Sequence, residues 1–233
     1  MSLTPTVFIV DPDPRHSAAV SGRIREMGLA AETFAGAESL LKNLSPSRPG
    51  CLLAEMDLPG TRGVELLRRL VEAGYLLPVI FMSAAVDVAA IVPALRAGAV
   101  DFLQKPCDDL ALWDSLQLAL QRDSGNRGER AFRADIAARL AELTDEERRV
   151  MDLLLENKPN RAIAARLDVS QRTVNFRRAN VLKKLGVASL IELAGILARA
   201  NYPLGGPKHR LAAPQPVSVD YPARESNGRS LAS

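Results

Sequence analysis

The chain has 233 residues, 47% of them hydrophobic and 24% charged, so it can build a packed core and is not globally disordered. Only 4% are aromatic, which argues against binding sugars or bases mainly by stacking, and two cysteines with two histidines are too few for a disulfide scaffold or a zinc centre. Since there is neither a signal-peptide pattern nor an apolar run near the roughly 20 residues of a membrane span, we expect a soluble, cytoplasmic protein with no membrane partner.

The net charge of +3 conceals opposite balances in the two halves of the chain. Residues 1–120 carry 10 Lys and Arg against 14 Asp and Glu, whereas residues 143–200 carry 11 against 7. An acidic first half joined to a basic second half indicates a different partner for each, and a polyanion is a candidate for the second.

The first half alternates short β-rich runs with helical patterns. Strands are predicted at 6–10, 31–34, 51–54, 78–82 and 100–103. Helices are predicted at 14–27, 37–44, 62–73, 87–97 and 108–121. Five strands alternating with five helices predict an α/β domain over residues 1–121, built on a doubly wound five-stranded parallel sheet.

Polar residues follow the predicted strands where ligands of such sheets bind, outside the carboxyl ends. They are Asp11, Pro12 and Asp13 after the first strand, Glu55 to Asp57 after the third, Ser83 after the fourth and Lys105 after the fifth. A cluster of carboxylates with one hydroxyl and one lysine is therefore expected at this edge of the sheet.

The second half contains only helical patterns. Residues 122–142 are predicted to be a linker, polar with two glycines over 122–130 and helical over 131–142. A DNA-binding domain is predicted over 143–200, with a capping box at Thr144 and Glu147 that opens its first helix. The tail, residues 201–233, is rich in Pro, Gly, Ser and Arg, and we expect it to be disordered.

Two helices in this domain, at 160–167 and about 171–185, are joined by a short turn, which is the helix-turn-helix arrangement that reads DNA. The second helix carries five Lys and Arg residues and no acid. We expect Asn175 and Arg178 to reach base edges and Thr173, Lys183 and Lys184 to anchor phosphates. The complete candidate interface is Gln171, Arg172, Thr173, Asn175, Phe176, Arg177, Arg178, Lys183 and Lys184.

The motif IAARL-x-VS-x-RTV, followed by KLGV, resembles the LuxR-type helix-turn-helix of bacterial transcription factors. The resemblance covers essentially all of residues 143–200. That family usually has a histidine at the position of Arg177 and a small aliphatic residue at that of Phe176, so the target sequence is expected to be unusual. A helical bundle with an incidentally basic helix is the alternative.

The motifs VFIVDPDP, DLPGTRGVELLRRL, PVIFMSA and RAGAVDFLQKP resemble the receiver domain of FixJ/NarL-type response regulators, over about residues 5–121. The resemblance implies two acids after the first strand that hold Mg²⁺ and an aspartate after the third that accepts a phosphoryl group. It also implies a hydroxyl and a lysine that hold the phosphate, here Ser83 and Lys105. Phe102 falls at the aromatic switch position, although a buried strand aromatic is an equally good interpretation.

The resemblance fails at the centre of the pocket. Pro12 stands at the second acid's position and has no ligand atom in its side chain, while Asp13 is one residue out of register. Glu55 stands where the acceptor aspartate is expected. The receiver is therefore interpreted as degenerate, with Mg²⁺ doubtful, no other cofactor and no enzymatic activity of its own.

Three explanations of Glu55 remain open. It imitates the phosphorylated state with a permanent charge, it is a structural remnant paired with Lys105, or Asp57 has taken over as the acceptor. Mimicry would be imperfect, because glutamate carries one negative charge where a phosphate carries nearly two.

The function expected from all of this is a dimeric transcription regulator that binds double-stranded DNA without phosphorylation. RNA polymerase or another regulator is a further candidate partner. The alternatives are a phosphate-gated two-component response regulator that uses Asp57 as its acceptor, and a protein-binding adaptor or antagonist.

Overall fold

The computed structural model of the chain describes residues 4–85 and 87–203, which divide into two compact units, one up to Asn126 and one from Arg127. The tail for which disorder was predicted lies outside the described residues, except for its first three positions. Within the described part of the chain, no helix is both long enough and apolar enough to cross a membrane.

The strands of the first unit are β1 (Thr6–Val10), β2 (Ala30–Phe34), β3 (Gly50–Glu55), β4 (Asp57–Leu58), β5 (Thr61–Arg62), β6 (Val79–Ser83) and β7 (Asp101–Gln104). Five of them pair in parallel in the order β2-β1-β3-β6-β7. The predicted doubly wound sheet is thus confirmed. The antiparallel hairpin formed by β4 and β5 was not predicted.

The helices of this unit are α1 (Pro14–Glu26), α2 (Ala37–Asn43), α3 (Gly63–Glu72), α4 (Val88–Arg96) and the start of α5 (Asp109–Ala141). Successive strand residues point to opposite faces, so β1 sends Phe8 into one apolar cluster and Ile9 into the other. Both clusters are buried, as expected for a parallel sheet covered by helices on its two faces. This packing fixes the strand ends that carry the polar residues.

Helix α5 corrects the predicted linker. Residues 122–130 were predicted to be non-helical because they are polar and contain two glycines, yet α5 runs without a break from Asp109 to Ala141. This stretch also makes a buried contact that its composition does not show. The carboxylate of Asp123, only 5% exposed, accepts a hydrogen bond from the backbone amide of Gly50 at 2.9 Å and ties this part of the helix to β3.

The second unit consists of the end of α5 together with α6 (Asp145–Leu155), α7 (Asn160–Leu167), α8 (Gln171–Leu185) and α9 (Leu190–Arg199). The capping box is present: Thr144 Oγ1 accepts from the amide of Glu147 at 3.2 Å, and Glu147 Oε2 accepts from the amide of Thr144 at 3.0 Å. Asp168 and Gly186 end α7 and α8 in left-handed conformations, with φ of 51° and 69°. The helix-turn-helix is therefore formed as predicted.

Candidate functional site

An ion cluster lies at the carboxyl ends of β1, β3 and β7. Asp11 directly follows β1, Glu55 ends β3 and Lys105 directly follows β7, so the parallel sheet brings the three together at one edge. Lys105 Nζ lies 2.6 Å from Asp11 Oδ2 and 2.5 Å from Glu55 Oε2. The side chains are only 14%, 5% and 15% exposed, respectively, so the ammonium bridges two carboxylates that are largely shielded from water.

Asp11 has two further partners besides Lys105. Its Oδ1 accepts from the backbone amide of Asp13 at 2.8 Å, and its Oδ2 also lies 2.6 Å from Nδ1 of His16. Burial disfavours the ionised carboxyl, but the bonds from Lys105, the Asp13 amide and His16 outweigh it and hold the pKa of Asp11 below its ordinary value. Asp11 is therefore an anion that already has its partners.

Both carboxylate oxygens of Glu55 also have hydrogen-bond partners. Its Oε1 accepts from the backbone amide of Met56 at 2.9 Å and, more weakly, from that of Asp57 at 3.4 Å, while Oε2 faces Lys105. Burial lowers the pKa of Lys105, but the bonds from Asp11 and Glu55 raise it by more, so the lysine stays an ammonium. Asp57 is exposed on β4, and Lys105 bonds to Glu55 rather than to it.

The other predicted pocket residues are not part of this cluster. The exposed Asp13 serves as N-cap of α1, accepting from the amides of Arg15 at 2.9 Å and His16 at 3.4 Å. Ser83 is buried, and its hydroxyl accepts from the amide of Ala85 at 3.2 Å. Phe102 is half-buried against the apolar cluster that contains Phe8. The structure thus joins Asp11, Glu55 and Lys105 and leaves Asp13 outside.

Helix α8 carries the candidate DNA interface. Val174, Val181 and Leu185 are buried and attach the helix to the core. On the opposite side, an outward stripe of Arg172, Phe176, Ala179 and Lys183 follows the helical spacing of four, three and four residues, and every member is exposed. Neither Arg172 nor Lys183 is paired with a carboxylate among the residues that the structure describes.

Two side chains beside the outward stripe, Asn175 and Thr173, make hydrogen bonds within the unit. Asn175 is exposed, and its Oδ1 accepts a hydrogen bond from Asn160 Nδ2 on α7 at 2.6 Å. Arg177 and Arg178 are half-buried. Gln171 is exposed at the start of the helix, and the hydroxyl of Thr173 lies 2.8 Å from that of Ser170.

Lys184 differs from the other cations of α8. Its Nζ lies 2.6 Å from Glu147 Oε2 and donates to the carbonyl of Glu142 at 3.0 Å. Burial opposes ionisation of Glu147, but the bonds from Lys184 and from the Thr144 amide prevail and lower the pKa of Glu147. Lys184, which was predicted to anchor a phosphate, connects α8 to the start of α6 in the structure.

Comparison with known proteins covers both units. Residues 7–117 match the response regulator receiver domain, and residues 141–197 match the bacterial regulatory proteins of the luxR family. The transcriptional regulatory protein FixJ of Bradyrhizobium diazoefficiens is 33% identical over 84% of this chain and 95% of its own length. The response regulator protein TodT of Pseudomonas putida is 31% identical over 83% and 85%. The chain is a LuxR-family response regulator of the FixJ/TodT type.

Solved structures agree with this assignment. The response regulator StyR matches with a TM-score of 0.76 at 33% identity, covering 84% of this chain and 99% of that one. Full-length FixJ from B. japonicum matches with a TM-score of 0.52 at 32% identity, covering 86% and 98%. The receiver fold and the LuxR-type DNA-binding domain predicted from the motifs are both confirmed.

The Mg²⁺ that the family implies does not fit the residues of this response regulator. Pro12 offers no side-chain ligand, the Asp13 carboxylate caps α1, and Asp11 and Glu55 are bonded to the ammonium of Lys105. Over residues 4–85 and 87–203 there is no group of three or more His, Cys, Asp and Glu side chains that could hold a metal ion. The site is therefore a closed ion cluster.

His16 is the site residue that sequence reasoning missed. It is half-buried on the first turn of α1, and its contact with Asp11 joins it to the ion cluster. A signal existed in the pattern: Asp13 and Pro14 predict a helix start directly after β1, and a residue in the first turn of that helix lies beside the strand end.

Proposed function

We propose that this response regulator binds double-stranded DNA and regulates transcription without phosphorylation of its receiver, and that it acts as a homodimer in the cytoplasm. The observation that carries the proposal is the bridge from Lys105 Nζ to Asp11 at 2.6 Å and to Glu55 at 2.5 Å. The cation that the resemblance assigns to an incoming phosphate is already neutralised by two carboxylates of the chain itself.

Electrostatics supports this interpretation. A phosphoryl group adds nearly two negative charges, and phosphoryl transfer relies on cations to offset them. In this cluster one ammonium already faces two carboxylates, and the position of Pro12 contributes no metal ligand. A phosphate here would meet excess negative charge, so neither Mg²⁺ nor any other cofactor is part of the proposed mechanism, and no catalytic residue is assigned.

The outward stripe of α8 supports DNA as the ligand over the adaptor alternative. Arg172 and Lys183 are exposed on the helix that the LuxR-type fold uses to enter the major groove, and a polyanion is the ligand that offsets such charges. Val88, Val92 and Leu95, which are exposed on α4, support association of two copies. RNA polymerase or another regulator remains a predicted further partner.

The phosphorylation test uses the purified full-length chain with a small acyl phosphate donor and Mg²⁺. We expect intact-mass spectrometry to find no phosphoryl adduct, and the Kd for DNA to be the same with and without the donor. The Pro12→Asp, Glu55→Asp double variant is the positive control, because it restores an acid pair and an acceptor aspartate. An adduct on the wild type that disappears in Asp57→Asn would replace this proposal with the phosphate-gated one.

The DNA test selects binding sites from a pool of random-sequence duplexes with the unphosphorylated full-length protein, at two salt concentrations. Enrichment of a palindromic site whose binding weakens as salt rises is the expected result. Failure of the full chain to enrich any duplex would overturn the proposal, and sedimentation analysis of the same preparation tests the homodimer.

A further inference from the structure

Phe176 is a large aromatic side chain that the fold leaves in solvent. It is 66% exposed, although the core of the helix-turn-helix is filled by Val150, Ile163 and Val174 at no measurable exposure. Removing the ring from water would be favourable, yet nothing in its own unit covers it. Its placement is therefore explained by a surface outside the unit.

The neighbours of Phe176 on the outward stripe describe that surface. Arg172 lies one turn before it and Lys183 two turns after it, both exposed and both cationic. Ala179, one turn after the ring, is small and exposed, so it leaves room beside the aromatic face. A surface complementary to the outward stripe must carry negative charge at its two ends and an apolar group between them.

Duplex DNA has such a surface in one place. Phosphates flank the major groove, and its one apolar feature is the 5-methyl group of thymine. A phosphate contact would leave the ring of Phe176 unburied, whereas a thymine methyl meets it as apolar surface. The major groove also admits an α-helix, and the recognition helix of this fold enters it.

We propose that Phe176 reads the 5-methyl group of thymine in the major groove and thereby sets base preference within the binding site. The proposal rests on the proposed function, since it takes α8 as the helix in contact with DNA. Arg172 and Lys183 position the helix on the phosphates, and the Asn160–Asn175 hydrogen bond at 2.6 Å holds the residue beside Phe176 against α7. The ring supplies the discrimination.

The test removes single methyl groups from the DNA. In the duplex selected by the full-length protein, each thymine is replaced in turn by deoxyuridine, which lacks the methyl but keeps the hydrogen-bonding edges. For wild type we expect one or two positions at which the Kd rises about fourfold, the effect of burying one carbon of apolar surface. In Phe176→Ala the Kd for the uracil duplex divided by the Kd for the thymine duplex should fall to one at those positions. Phe176→Leu should keep part of the difference between the two duplexes.

Ile191→Ala is the matched control. Ile191 is 86% exposed on α9 and is apolar like Phe176, but it lies on another helix. This variant should keep the full uracil-to-thymine ratio even if its overall affinity changes. Both substituted residues are exposed, so the variants are expected to fold, and circular dichroism checks this.

Each other outcome overturns the inference in a recognisable way. A selected site without thymine, no uracil effect in wild type, or an unchanged ratio in Phe176→Ala rejects methyl reading while DNA binding stands. Equal weakening of thymine and uracil duplexes by Phe176→Ala would mean that the ring adds affinity without reading the methyl group. If the full chain enriches no duplex, the proposed function fails and the inference falls with it.

Discussion

The receiver unit and the DNA-binding unit differ in whether their candidate binding cations already have carboxylate partners. In the receiver unit Lys105 is 14% exposed and lies between two carboxylates, whereas in the DNA-binding unit Arg172 and Lys183 stand in solvent without a carboxylate partner among the described residues. A buried cation that has its counter-ions is closed to an incoming anion. An exposed cation without one gains from binding an anion. Whether a charged side chain already has a counter-ion distinguishes a structural cluster from a binding surface better than the number of charged residues in the sequence does.

The same contrast exists inside the DNA-binding unit. Lys184 belongs to the basic helix, yet it is paired with Glu147, a carboxylate only 6% exposed. Among the described residues there are therefore two lysine–carboxylate clusters, one in each unit, and they differ in how far they are shielded from water. Lys184 is 31% exposed and faces one carboxylate, and Lys105 is half as exposed and faces two.

Replacing the lysine of each cluster should give the largest effects on stability. Lys105→Met leaves two shielded carboxylates without a cation, and we expect the free energy of unfolding of the receiver unit to fall by about 3 kcal/mol. Lys184→Met should cost the DNA-binding unit only about 1 kcal/mol, because Glu147 keeps its bond to the Thr144 amide and the pair is more exposed. Urea unfolding followed by a probe in each unit measures both. Equal losses would mean that shielding does not separate the clusters.

The loss in Lys105→Met should also depend on pH. The pKa of Asp11 lies below its ordinary value of 3.8, so its stabilising contribution is present above that value and is lost as pH falls through the lowered pKa. The pKa of Lys105 lies above 10.5, so its contribution is present below that value and is lost as pH rises through the raised pKa. The difference in unfolding free energy between wild type and Lys105→Met, measured by urea unfolding across pH, should therefore be constant near neutrality. It should shrink in acid and again as pH rises through the raised pKa of Lys105.

Removing the exposed cations should affect DNA binding and not stability. For Arg172→Ala with Lys183→Ala we expect the Kd to rise roughly 30-fold, about 2 kcal/mol, and the salt slope to fall by about 2 for each bound subunit. Arg15→Ala with Arg62→Ala is the control, since it removes two exposed arginines from the receiver unit. Fluorescence anisotropy over a salt series measures both quantities. A similar weakening in the control would show that net charge alone drives binding.

The sequence predicts the scaffold of both units well, because the scaffold depends on local patterns. The alternation of apolar strands with helices gives the five-stranded sheet, and the capping box at Thr144 together with Gly186 gives helix ends of the second unit. The α8 stripe also follows from helical spacing once Val174 is known to be buried. These features need no knowledge of distant contacts.

Features that depend on contacts between distant residues could not be predicted in this way. The hydrogen bond that ties α5 to β3 joins Asp123 to Gly50, which is 73 positions away. The pairing of Lys184 with Glu147, which is 37 positions away, depends in the same way on side-chain geometry. The positions of polar residues after the predicted strands identify the candidate pocket residues. Only the structure shows which of them belong to the ion cluster and which lie beside it.

Glu55→Gln tests whether the closed cluster controls the exposed surface. If the charge of Glu55 holds the receiver in its DNA-binding state, neutralising it should raise the Kd for DNA about fivefold, the low end of coupling between sites. Asp57→Asn is the matched control, because it neutralises the neighbouring exposed carboxylate and should change nothing. Unchanged DNA binding, dimerisation and transcription in Glu55→Gln would exclude mimicry of a phosphate and leave Glu55 as a structural partner of Lys105.

The smallest expected effects come from the helix caps, one in each unit. Ser170 Oγ accepts from the amide of Thr173 at 3.0 Å at the start of α8, and Asp87 Oδ1 accepts from the amide of Ala89 at 2.9 Å at the start of α4. Replacing either by alanine should cost about 1 kcal/mol of stability. Only Ser170→Ala should also raise the Kd for DNA, by about twofold, because fraying of the first turn of α8 displaces Arg172. An equal effect of Asp87→Ala on DNA binding would contradict this explanation, because the loss of affinity would then not come from the first turn of α8.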